Sequence, residues 1–317
     1  AVDAAAVQSY LSNALLFMLI AGMAGSCDAR LFAVKFKKPN GMLAALFSQF
    51  VLLPAIGFLS VNLFPQSAVT VVTLLVVTTS PGGGFSGWWC SLCNADLALS
   101  VAMTTASTFA CLLALPVNVY LYVQVFYGKE VSIDWNILLL SVVNVVCAVG
   151  LGLWVGARMP LWRGKINAAG QLSGVALMGL GCFASSSSGD PISANPPDWF
   201  AAVCLPCVLG LVAALGLAKL VGLSSAETVA VGIECCYQNT GLGLTIALSA
   251  FPADQRGKAA GVPLVYGMAE VVVIGAFAVF ALLMGWTHSP KGEGLCKALA
   301  GNYQPTAPQD EKSLELK

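Results

Sequence analysis

The chain alternates long apolar runs with short polar segments. An apolar helix of about 20 residues crosses ~30 Å of hydrocarbon, and runs of that length recur throughout the 317 residues. They predict nine membrane spans, numbered here in order: 8–27, 41–63, 67–93, 97–127, 134–157, 166–185, 199–221, 225–251 and 260–287. The pattern therefore predicts an all-α membrane protein, with a transmembrane domain over residues 1–287 and a polar, disordered tail over 288–317.

Two of the spans are interrupted by small and polar residues. Span 3 contains Ser80-Pro81-Gly82-Gly83-Gly84-Phe85-Ser86, and span 8 contains Glu234-Cys235-Cys236-Tyr237-Gln238-Asn239-Thr240-Gly241. Hydrocarbon cannot satisfy freed backbone groups, so such breaks persist only where protein or a water-filled cavity satisfies them. Matched breaks in two helices indicate the ion and substrate site of a secondary transporter.

The spacing of the two breaks predicts an inverted repeat. Spans 3 and 8 are five helices apart, and because five is odd, equivalent helices run in opposite directions across the membrane. Pairing spans 1 to 4 with spans 6 to 9 leaves span 5 without a partner. We interpret the repeat unit as five helices, of which the N-terminal copy lacks the first.

Composition and charge support the membrane class and orient the chain. Hydrophobic residues make up 58% of the chain and charged residues 9%, with a mean hydropathy of +0.83, values far from those of soluble domains. Most Lys and Arg residues follow spans 1, 5, 7 and 9, whereas Lys129, Arg256 and Lys258 follow spans 4 and 8. The positive-inside bias then predicts an outside N-terminus and a cytoplasmic C-terminus. The choice between plasma membrane and organelle envelope stays open, as does the oligomeric state.

Glu234 is the main candidate for a cation ligand. A carboxylate near the middle of a span costs several kcal/mol unless it is paired, and no Lys or Arg lies in the interior of the spans. Gln238 lies one turn later on the same face, with Asn239 beside it. Carboxylate, carboxamide, hydroxyl and carbonyl oxygens suit a hard cation such as Na⁺. The alternative is a protonated Glu that is hydrogen-bonded at a helix interface.

Further polar residues extend this interpretation. Ser100 and Thr104, at i and i+4 near the start of span 4, can offer two hydroxyls to one ion, although such residues also serve as small packing residues between membrane helices. Asp96 is predicted to cap the same span. Glu270, about ten residues into span 9 and without a basic partner, is predicted to line the same cavity as Glu234.

The sequence offers little for catalysis. Cys90 and Cys93, like Cys204 and Cys207, have a CxxC spacing but lie in apolar runs, and we interpret them as packing residues. His288 is the only histidine, and no nucleophile elbow, phosphate-binding loop or dinucleotide-binding pattern occurs. We therefore expect neither an enzyme nor a nucleic-acid-binding protein.

Together these motifs resemble the bile acid:sodium symporter family. The residues that carry the resemblance are Lys38-Pro39-Asn40-Gly41, Gln49, Pro54, Ser80-Pro81-Gly82-Gly83, Asp96, Leu99-Ser100-Val101, Thr104-Thr105, Glu234 and Gln238-Asn239. The Pro-Gly-Gly break, the Ser/Thr-rich helix and the distant Glu-x-x-x-Gln-Asn are specific in combination.

The resemblance implies both a fold and a site. It implies a core domain from spans 2, 3, 4, 7, 8 and 9 (residues 41–127 and 199–287) and a panel domain from spans 1, 5 and 6 (residues 8–27 and 134–185). Spans 3 and 8 are expected to be discontinuous helices that cross at their breaks, with the substrate between the two domains. The implied ligands of one Na⁺ are Ser86, Ser100, Thr104 and Glu234, and those of a second are Gln49, Glu234 and Gln238 with backbone carbonyls of the span 8 break. We assign substrate contacts to Gly84, Asn239, Thr240 and Glu270.

The chain departs from the family pattern at two positions. Gly87 stands in place of the usual Asn after the site serine, and Gly84 in place of a common polar residue. Because a glycine offers no carboxamide oxygen, the first Na⁺ site is expected to be weaker than the second unless backbone or water replaces that ligand. Trp88 and Trp89 follow directly and are expected to narrow the pocket.

The expected function is inward transport of an organic anion coupled to Na⁺. A steroid conjugate, a smaller carboxylate such as a keto acid and a sulfated solute are all compatible with the sequence. One alternative is proton-coupled transport through Glu234 or Glu270, which Gly87 favours. The other alternative is a membrane receptor or scaffold that retains the fold without transporting.

Overall fold

The computed structural model describes residues 4–26, 39–125, 135–186 and 192–304. Part of the predicted orientation and of the predicted tail lies outside the described residues, namely the basic loop 27–38, Lys129 and residues 305–317. The helices are α1 (Ala4–Gly25), α2 (Asn40–Leu63), α3 (Ala68–Thr79), α4 (Ser86–Leu92), α5 (Leu97–Val119), α6 (Trp135–Arg158), α7 (Arg163–Ser186), α8 (Pro197–Leu220), α9 (Ser225–Cys236), α10 (Thr240–Ala250), α11 (Arg256–Leu283) and α12 (Leu295–Ala300). No β-strand occurs among the described residues, and the prediction of an all-α protein is confirmed.

Within the described parts of the chain, six helices are long and apolar enough to cross a membrane. They are α1, α2, α5, α7, α8 and α11, with the apolar segment of α7 starting at Pro160 in a short 3₁₀ turn. Large apolar side chains cover their outer surface; Leu220 is 85% exposed and Leu113 is 77% exposed. Such exposure suits a protein surrounded by lipid. The predicted spans 3 and 8 are not among the six because each is split, which leaves α3 with 12 residues and α10 with 11.

Local sequence explains where three of these helices begin. Asp96 accepts a hydrogen bond of 2.8 Å from the backbone N–H of Leu99, which confirms the predicted cap of α5. Ser224 and Glu227 form a capping box at the start of α9, and Asn239 caps α10 through its own side chain. Each side chain satisfies backbone donors that a helix start leaves free.

The two breaks meet each other inside the protein. The backbone N–H of Gly83 donates to the carbonyl of Tyr237 at 2.8 Å, and the N–H of Asn239 donates to the carbonyl of Pro81 at 2.9 Å. Gly82 and Gln238 form an isolated antiparallel bridge at this contact. Each break therefore satisfies freed backbone groups of the other, as buried irregular backbone requires.

Only glycine fits at this contact. A Cβ on Gly82 would overlap the Glu234 carboxylate, and a Cβ on Gly83 would lie 2.5 Å from the carbonyl oxygen of Gln238. Real Cβ atoms do not approach other atoms so closely. The glycines let the backbones of the two breaks come within hydrogen-bonding distance of each other.

Helix α1 packs along α6 and α7. Small residues allow the approach. Gly22 of α1 lies against Gly170 of α7, and a Cβ on Gly22 would lie 2.6 Å from the Cα of Gly170. Close backbone contact through small residues is typical of membrane helices. This three-helix group meets the other helices mainly through α5, α10 and α11.

The segment after α11 folds back onto the start of α5. Asn94, fully buried and with a positive φ of 55°, donates through Nδ2 to the carbonyl of Ala298 at 2.8 Å and accepts at Oδ1 from the N–H of Tyr303 at 2.9 Å. Gln304 donates to the carbonyl of Ala95 at 2.7 Å. The prediction of disorder from residue 288 is therefore wrong for residues 288–304, because side chains on the core satisfy the backbone of this polar segment.

Candidate cation and solute site

A buried carboxylate lies at the end of α9. Glu234 is 1% exposed, and its Oε2 accepts a hydrogen bond of 3.0 Å from the hydroxyl of Thr104 on α5. The Thr104 hydroxyl is also 3.0 Å from the hydroxyl of Ser86, the first residue of α4. Ser100, one turn before Thr104, neighbours the same carboxylate. The structure thus brings together the four residues of the first predicted group, which we call the hydroxyl cluster: Ser86, Ser100, Thr104 and Glu234.

Two oxygens of the hydroxyl cluster have no hydrogen-bond partner among the described residues. They are Oε1 of Glu234 and Oγ of Ser100, and both are buried. Buried polar atoms are nearly always paired, so such orphans indicate a place for an ion or water. One negative charge among hydroxyl oxygens is a ligand set that suits a hard cation. The residues present therefore fit Na⁺.

A second group of amides lies where the breaks cross. Gln49, in a π-helical turn of α2 at Ser48–Leu52, donates through Nε2 to the carbonyl of Ser80 at 2.6 Å and to Oε1 of Gln238 at 2.5 Å. Gln238 donates through its own Nε2 to the carbonyl of Cys235 at 2.6 Å. Oε1 of Gln49 is buried and has no partner among the described residues. We call Gln49 and Gln238 the amide cluster; a role for Glu234 in it as well stays a prediction.

Two cavities adjoin the hydroxyl cluster. The larger, of about 320 Å³, lies among α1, α4, α5 and α7, and the smaller, of about 30 Å³, lies among α1, α5, α6 and the start of α10. Met23, Thr104 and Thr105 line both cavities. Trp88 also lines the larger one, whereas Trp89, which the sequence also predicts to narrow the pocket, lines neither. Among the described residues, those that line the two cavities include no Lys, Arg or Asp.

Of the four residues predicted to contact the substrate, two line a cavity and two do not. Gly84 lines the larger cavity and Asn239 the smaller. Thr240 is 6% exposed at the first turn of α10, and Glu270 accepts a hydrogen bond of 2.9 Å from the backbone N–H of Gln238. Neither Thr240 nor Glu270 lines these two cavities. A substrate contact at any of the four stays a prediction.

The sequence analysis missed two residues that line the larger cavity and one hydrogen bond to the first break. Asn167 and Gln171 on α7 face the larger cavity, and Ser107 accepts a hydrogen bond of 3.2 Å from the backbone N–H of Gly82. The signal for the first two was present, because amides at i and i+4 share one face of an otherwise apolar helix. The bond to Ser107 depends on the crossing of the breaks, which the sequence near Ser107 does not show.

Position 87 leaves space at the hydroxyl cluster. A Cβ on Gly87 would lie 3.7 Å from the nearest side-chain atom, on Leu97, and would make only ordinary contact. A larger side chain therefore fits at position 87. Glycine at this position provides no side-chain oxygen for a cation.

Apolar membrane helices, two facing breaks and a buried carboxylate among orphan oxygens define an integral membrane protein of the secondary-transporter class. More specifically, the chain belongs to the sodium bile acid symporter family, whose sequence model matches residues 13–192. The resemblance noted from the sequence is thereby confirmed. It is a family of sodium-coupled transporters.

Several curated relatives align along most of the chain. The human ileal sodium/bile acid cotransporter is 25% identical over 276 residues, which cover 86% of this chain and 79% of that protein. The mouse ileal sodium/bile acid cotransporter is 28% identical over 84% of this chain and 77% of that protein. The human sodium/bile acid cotransporter 4 is 26% identical over 86% of this chain, which spans only 63% of that longer relative.

Proposed function

We propose that this protein is a secondary active transporter that couples the uptake of an organic anion to the entry of Na⁺. The observation that carries the proposal is the orphan Oε1 of Glu234 beside the orphan hydroxyl of Ser100, both buried. No Lys or Arg occurs between residues 39 and 128 or between 220 and 255, so α2 to α5, α9 and α10 offer no basic side chain to neutralise the carboxylate. In this proposal a bound cation supplies the counter-charge.

Charge explains why ion and solute would move together. Among the described residues, those that line the two cavities carry amide and hydroxyl donors but no basic side chain. An anion that leaves water for such a site needs a counter-charge. Thr104 both bonds Glu234 and lines the cavities, which puts the cation next to the solute. Binding of each then favours binding of the other.

The start of α10 would add to anion binding. Asn239 caps this helix and lines the smaller cavity. The N-terminus of a helix carries a partial positive charge and complements anionic groups. In this proposal the anion lies between the N-terminus of α10 and Thr105 on α5.

The proposed architecture has nine spans related by an inverted repeat. Helices α3 with α4, and α9 with α10, are the two discontinuous spans that cross at their breaks. The panel domain comprises α1, α6 and α7, and the core domain comprises the other spans. Transport would proceed by movement of the panel against the core, which exposes the cavities between them to alternate sides of the membrane.

The proposed orientation puts the larger cavity on the cytoplasmic side. Its lining includes Ser26, directly after α1, and Asn167, in the second turn of α7. Both lie near loops whose basic residues predict a cytoplasmic location. The structure would then correspond to an inward-open state, with the N-terminus outside and the C-terminus cytoplasmic.

The substrate class proposed here is an organic anion. The relatives are named as sodium/bile acid cotransporters, and the larger cavity, of about 320 Å³, lies at the lower end of the size range of small-molecule sites. A steroid conjugate, a keto acid and a sulfated solute are the candidates to compare.

Coupling to protons is the second candidate, and Gly87 favours it. Loss of a carboxamide ligand weakens one cation position, whereas a proton needs only the carboxylate of Glu234. This candidate keeps the fold and the cavities and changes the driving ion alone.

Uptake into proteoliposomes distinguishes the candidates. Taurocholate, pyruvate and a sulfated steroid are offered under an inward Na⁺ gradient, under the same gradient of K⁺, and under a proton gradient without Na⁺. Our proposal predicts concentrative uptake of at least one anion with Na⁺ only. Uptake driven by protons alone would support the second candidate, and no gradient-driven uptake of any of the anions would contradict both.

A further inference from the structure

The three-helix group of α1, α6 and α7 has an apolar groove on its surface. The groove has a volume of about 270 Å³ and is lined by apolar side chains and three glycines. Met18 and Leu151 line it and are about half exposed, so the groove opens to the outside of the protein. Among the described residues, none that lines this groove also lines either cavity beside the hydroxyl cluster. It is therefore separate from the proposed solute site.

Close contacts of glycine backbone form the floor of the groove. A Cβ on Gly152 would lie 2.4 Å from the carbonyl oxygen of Ala21, and a Cβ on Gly170 would lie 2.8 Å from the Cα of Gly22. Where helices touch through small residues, no side chain fills the space above the contact, and larger neighbours form the walls. A hydrocarbon chain has the polarity and the narrow shape for such a groove.

Basic residues lie beyond one end of the groove. The connection between α6 and α7 carries Arg158, Arg163 and Lys165, which we call the basic turn. Val155, which lines the groove, is three residues before Arg158, and Ile166, which also lines it, is three residues after Arg163. Residues at this spacing share a face of a helix and lie about 5 Å apart along its axis. The groove therefore leads towards the basic turn.

The basic turn is suited to the headgroup layer of a membrane. Helices α1, α6 and α7 contain no Asp or Glu, so their own side chains do not neutralise it. Arg158 lies 5.6 Å from the ring centroid of Trp154, and Lys165 lies 4.6 Å from that of Trp162. Leu161, between the two helices, is 94% exposed. Tryptophans beside basic residues are typical of the boundary between hydrocarbon and headgroups.

We propose that the groove and the basic turn together form a binding site for one anionic phospholipid. One acyl chain lies in the groove, and the phosphate lies between Arg158 and Lys165, which donate charge-assisted hydrogen bonds to it. A zwitterionic lipid carries a cation of its own next to the phosphate, so the basic turn selects a lipid with net negative charge. This site holds the three-helix group to the headgroup layer and does not depend on the proposed Na⁺ coupling.

Lipid binding to the purified, delipidated full chain in neutral detergent tests the proposal. Dioleoylphosphatidylglycerol and dioleoylphosphatidylcholine are titrated separately, with native mass spectrometry to count bound lipids and the melting temperature to follow affinity. We expect one retained phosphatidylglycerol that binds about tenfold or more tightly than phosphatidylcholine. Equal affinity for the two lipids would overturn the proposal. Glycerol 3-phosphate, which lacks acyl chains, should not raise the melting temperature, and a rise equal to that with phosphatidylglycerol would also overturn it.

A double variant tests the basic turn. Arg158→Gln with Lys165→Gln removes two charges, and we expect it to bind phosphatidylglycerol about tenfold or more weakly while its affinity for phosphatidylcholine is unchanged. Lys291→Gln with Lys297→Gln is the matched control, because it removes the same charge from exposed residues of the C-terminal segment. If the two double variants lose the same affinity, the effect belongs to net charge and the proposed site is wrong.

A substitution in the groove tests the other half of the site and leaves every charge in place. Ala169 lines the groove and is exposed, so Ala169→Phe should fold and fill the space of the acyl chain. Because each buried methylene group contributes to lipid binding, we expect affinity for phosphatidylglycerol to fall about tenfold or more. Ala168→Phe, at the exposed neighbouring position outside the groove, is the control. Equal affinity of the two Phe variants would overturn the role of the groove.

Discussion

Among single residues, Thr104 connects the proposed cation ligands most directly to the cavities. Its hydroxyl bonds Glu234 and lies beside Ser86, and its side chain lines both cavities. It sits one turn from Ser100, so both hydroxyls face the same carboxylate. A change at this hydroxyl should alter ion binding and solute binding together.

Thr104→Val removes the hydroxyl while preserving side-chain shape. A hydrogen bond to a charged group contributes about 1.5–3 kcal/mol, so we expect Na⁺ affinity to fall about tenfold or more with little loss of folded protein. Na⁺ titration of the melting temperature measures it. Thr73→Val is the control, because the Thr73 hydroxyl bonds the carbonyl of Val69 on its own helix. Equal Na⁺ affinity in Thr104→Val and Thr73→Val would contradict the role of Thr104.

Gly87→Asn should strengthen the hydroxyl cluster. The structure leaves space at this position, and a carboxamide there would restore the oxygen that the family pattern contains. We expect wild type to show one stronger and one weaker Na⁺ site in ²²Na⁺ titration, and the variant to show two of similar affinity. Gly216→Asn, on an exposed face of α8, is the control. Two equally tight sites in wild type would contradict this account of Gly87.

Among the secondary-structure elements, the crossing breaks hold the site together. The hydroxyl cluster takes one residue from α4, two from α5 and one from α9, and the amide cluster takes one from α2 and one from the second break. Backbone hydrogen bonds between the breaks fix these elements relative to one another. Disturbing the crossing should therefore disturb ion binding before it unfolds the helices.

Gly82→Ala is the smallest such disturbance. The added methyl would overlap the Glu234 carboxylate, so we expect the Na⁺-dependent rise in melting temperature to disappear and uptake per folded molecule to fall at least tenfold. Gly216→Ala adds the same methyl where nothing lies within 4 Å and should have no such effect. If the two variants respond alike to Na⁺, the contact between Gly82 and Glu234 has no part in ion binding.

The breaks could be predicted from local sequence, as could four of the proposed ligands, Ser100, Thr104, Glu234 and Gln238, whereas Gln49 and Ser86 follow only from the family resemblance. Pro-Gly-Gly-Gly and Glu-x-x-x-Gln-Asn stand out within apolar runs, and Ser100 and Thr104 share a helix face by spacing alone. The place of Glu270 could not be predicted, because its contact with the Gln238 backbone exists only once α11 packs against the second break. The lining by Asn167 and Gln171 likewise depends on how α7 faces α5.

On the scale of the whole molecule, the C-terminal segment links the end of α11 to the start of α5. Asn94 makes the central contacts, with three side-chain hydrogen bonds to Ala298, Gly301 and Tyr303. Polar composition alone predicts a free tail here, because the partner of a polar segment is set by tertiary structure and not by its own sequence. The contact ties the last span to the helix that carries Ser100 and Thr104.

Asn94→Ala should release this segment. Three hydrogen bonds at about 1 kcal/mol each, together with a positive φ that Ala tolerates poorly, predict a loss of about 3 kcal/mol in stability. We expect a lower melting temperature and rapid proteolysis within residues 288–304. Asn302→Ala, which alters an exposed side chain in the same segment, is the control. Equal protease resistance in the two variants would contradict the docking role of Asn94.

Na⁺-dependent melting of wild type and Glu234→Gln tests the central claim most directly. A ligand that binds the folded state raises its stability by mass action, and Gln keeps the size of Glu while removing the charge that would neutralise a desolvated cation. With K⁺ as the reference salt and Glu227→Gln as the control, we predict that Na⁺ raises the melting temperature of wild type and of Glu227→Gln but not of Glu234→Gln. A Na⁺ response in Glu234→Gln equal to that of wild type would contradict the proposed sodium-coupled mechanism.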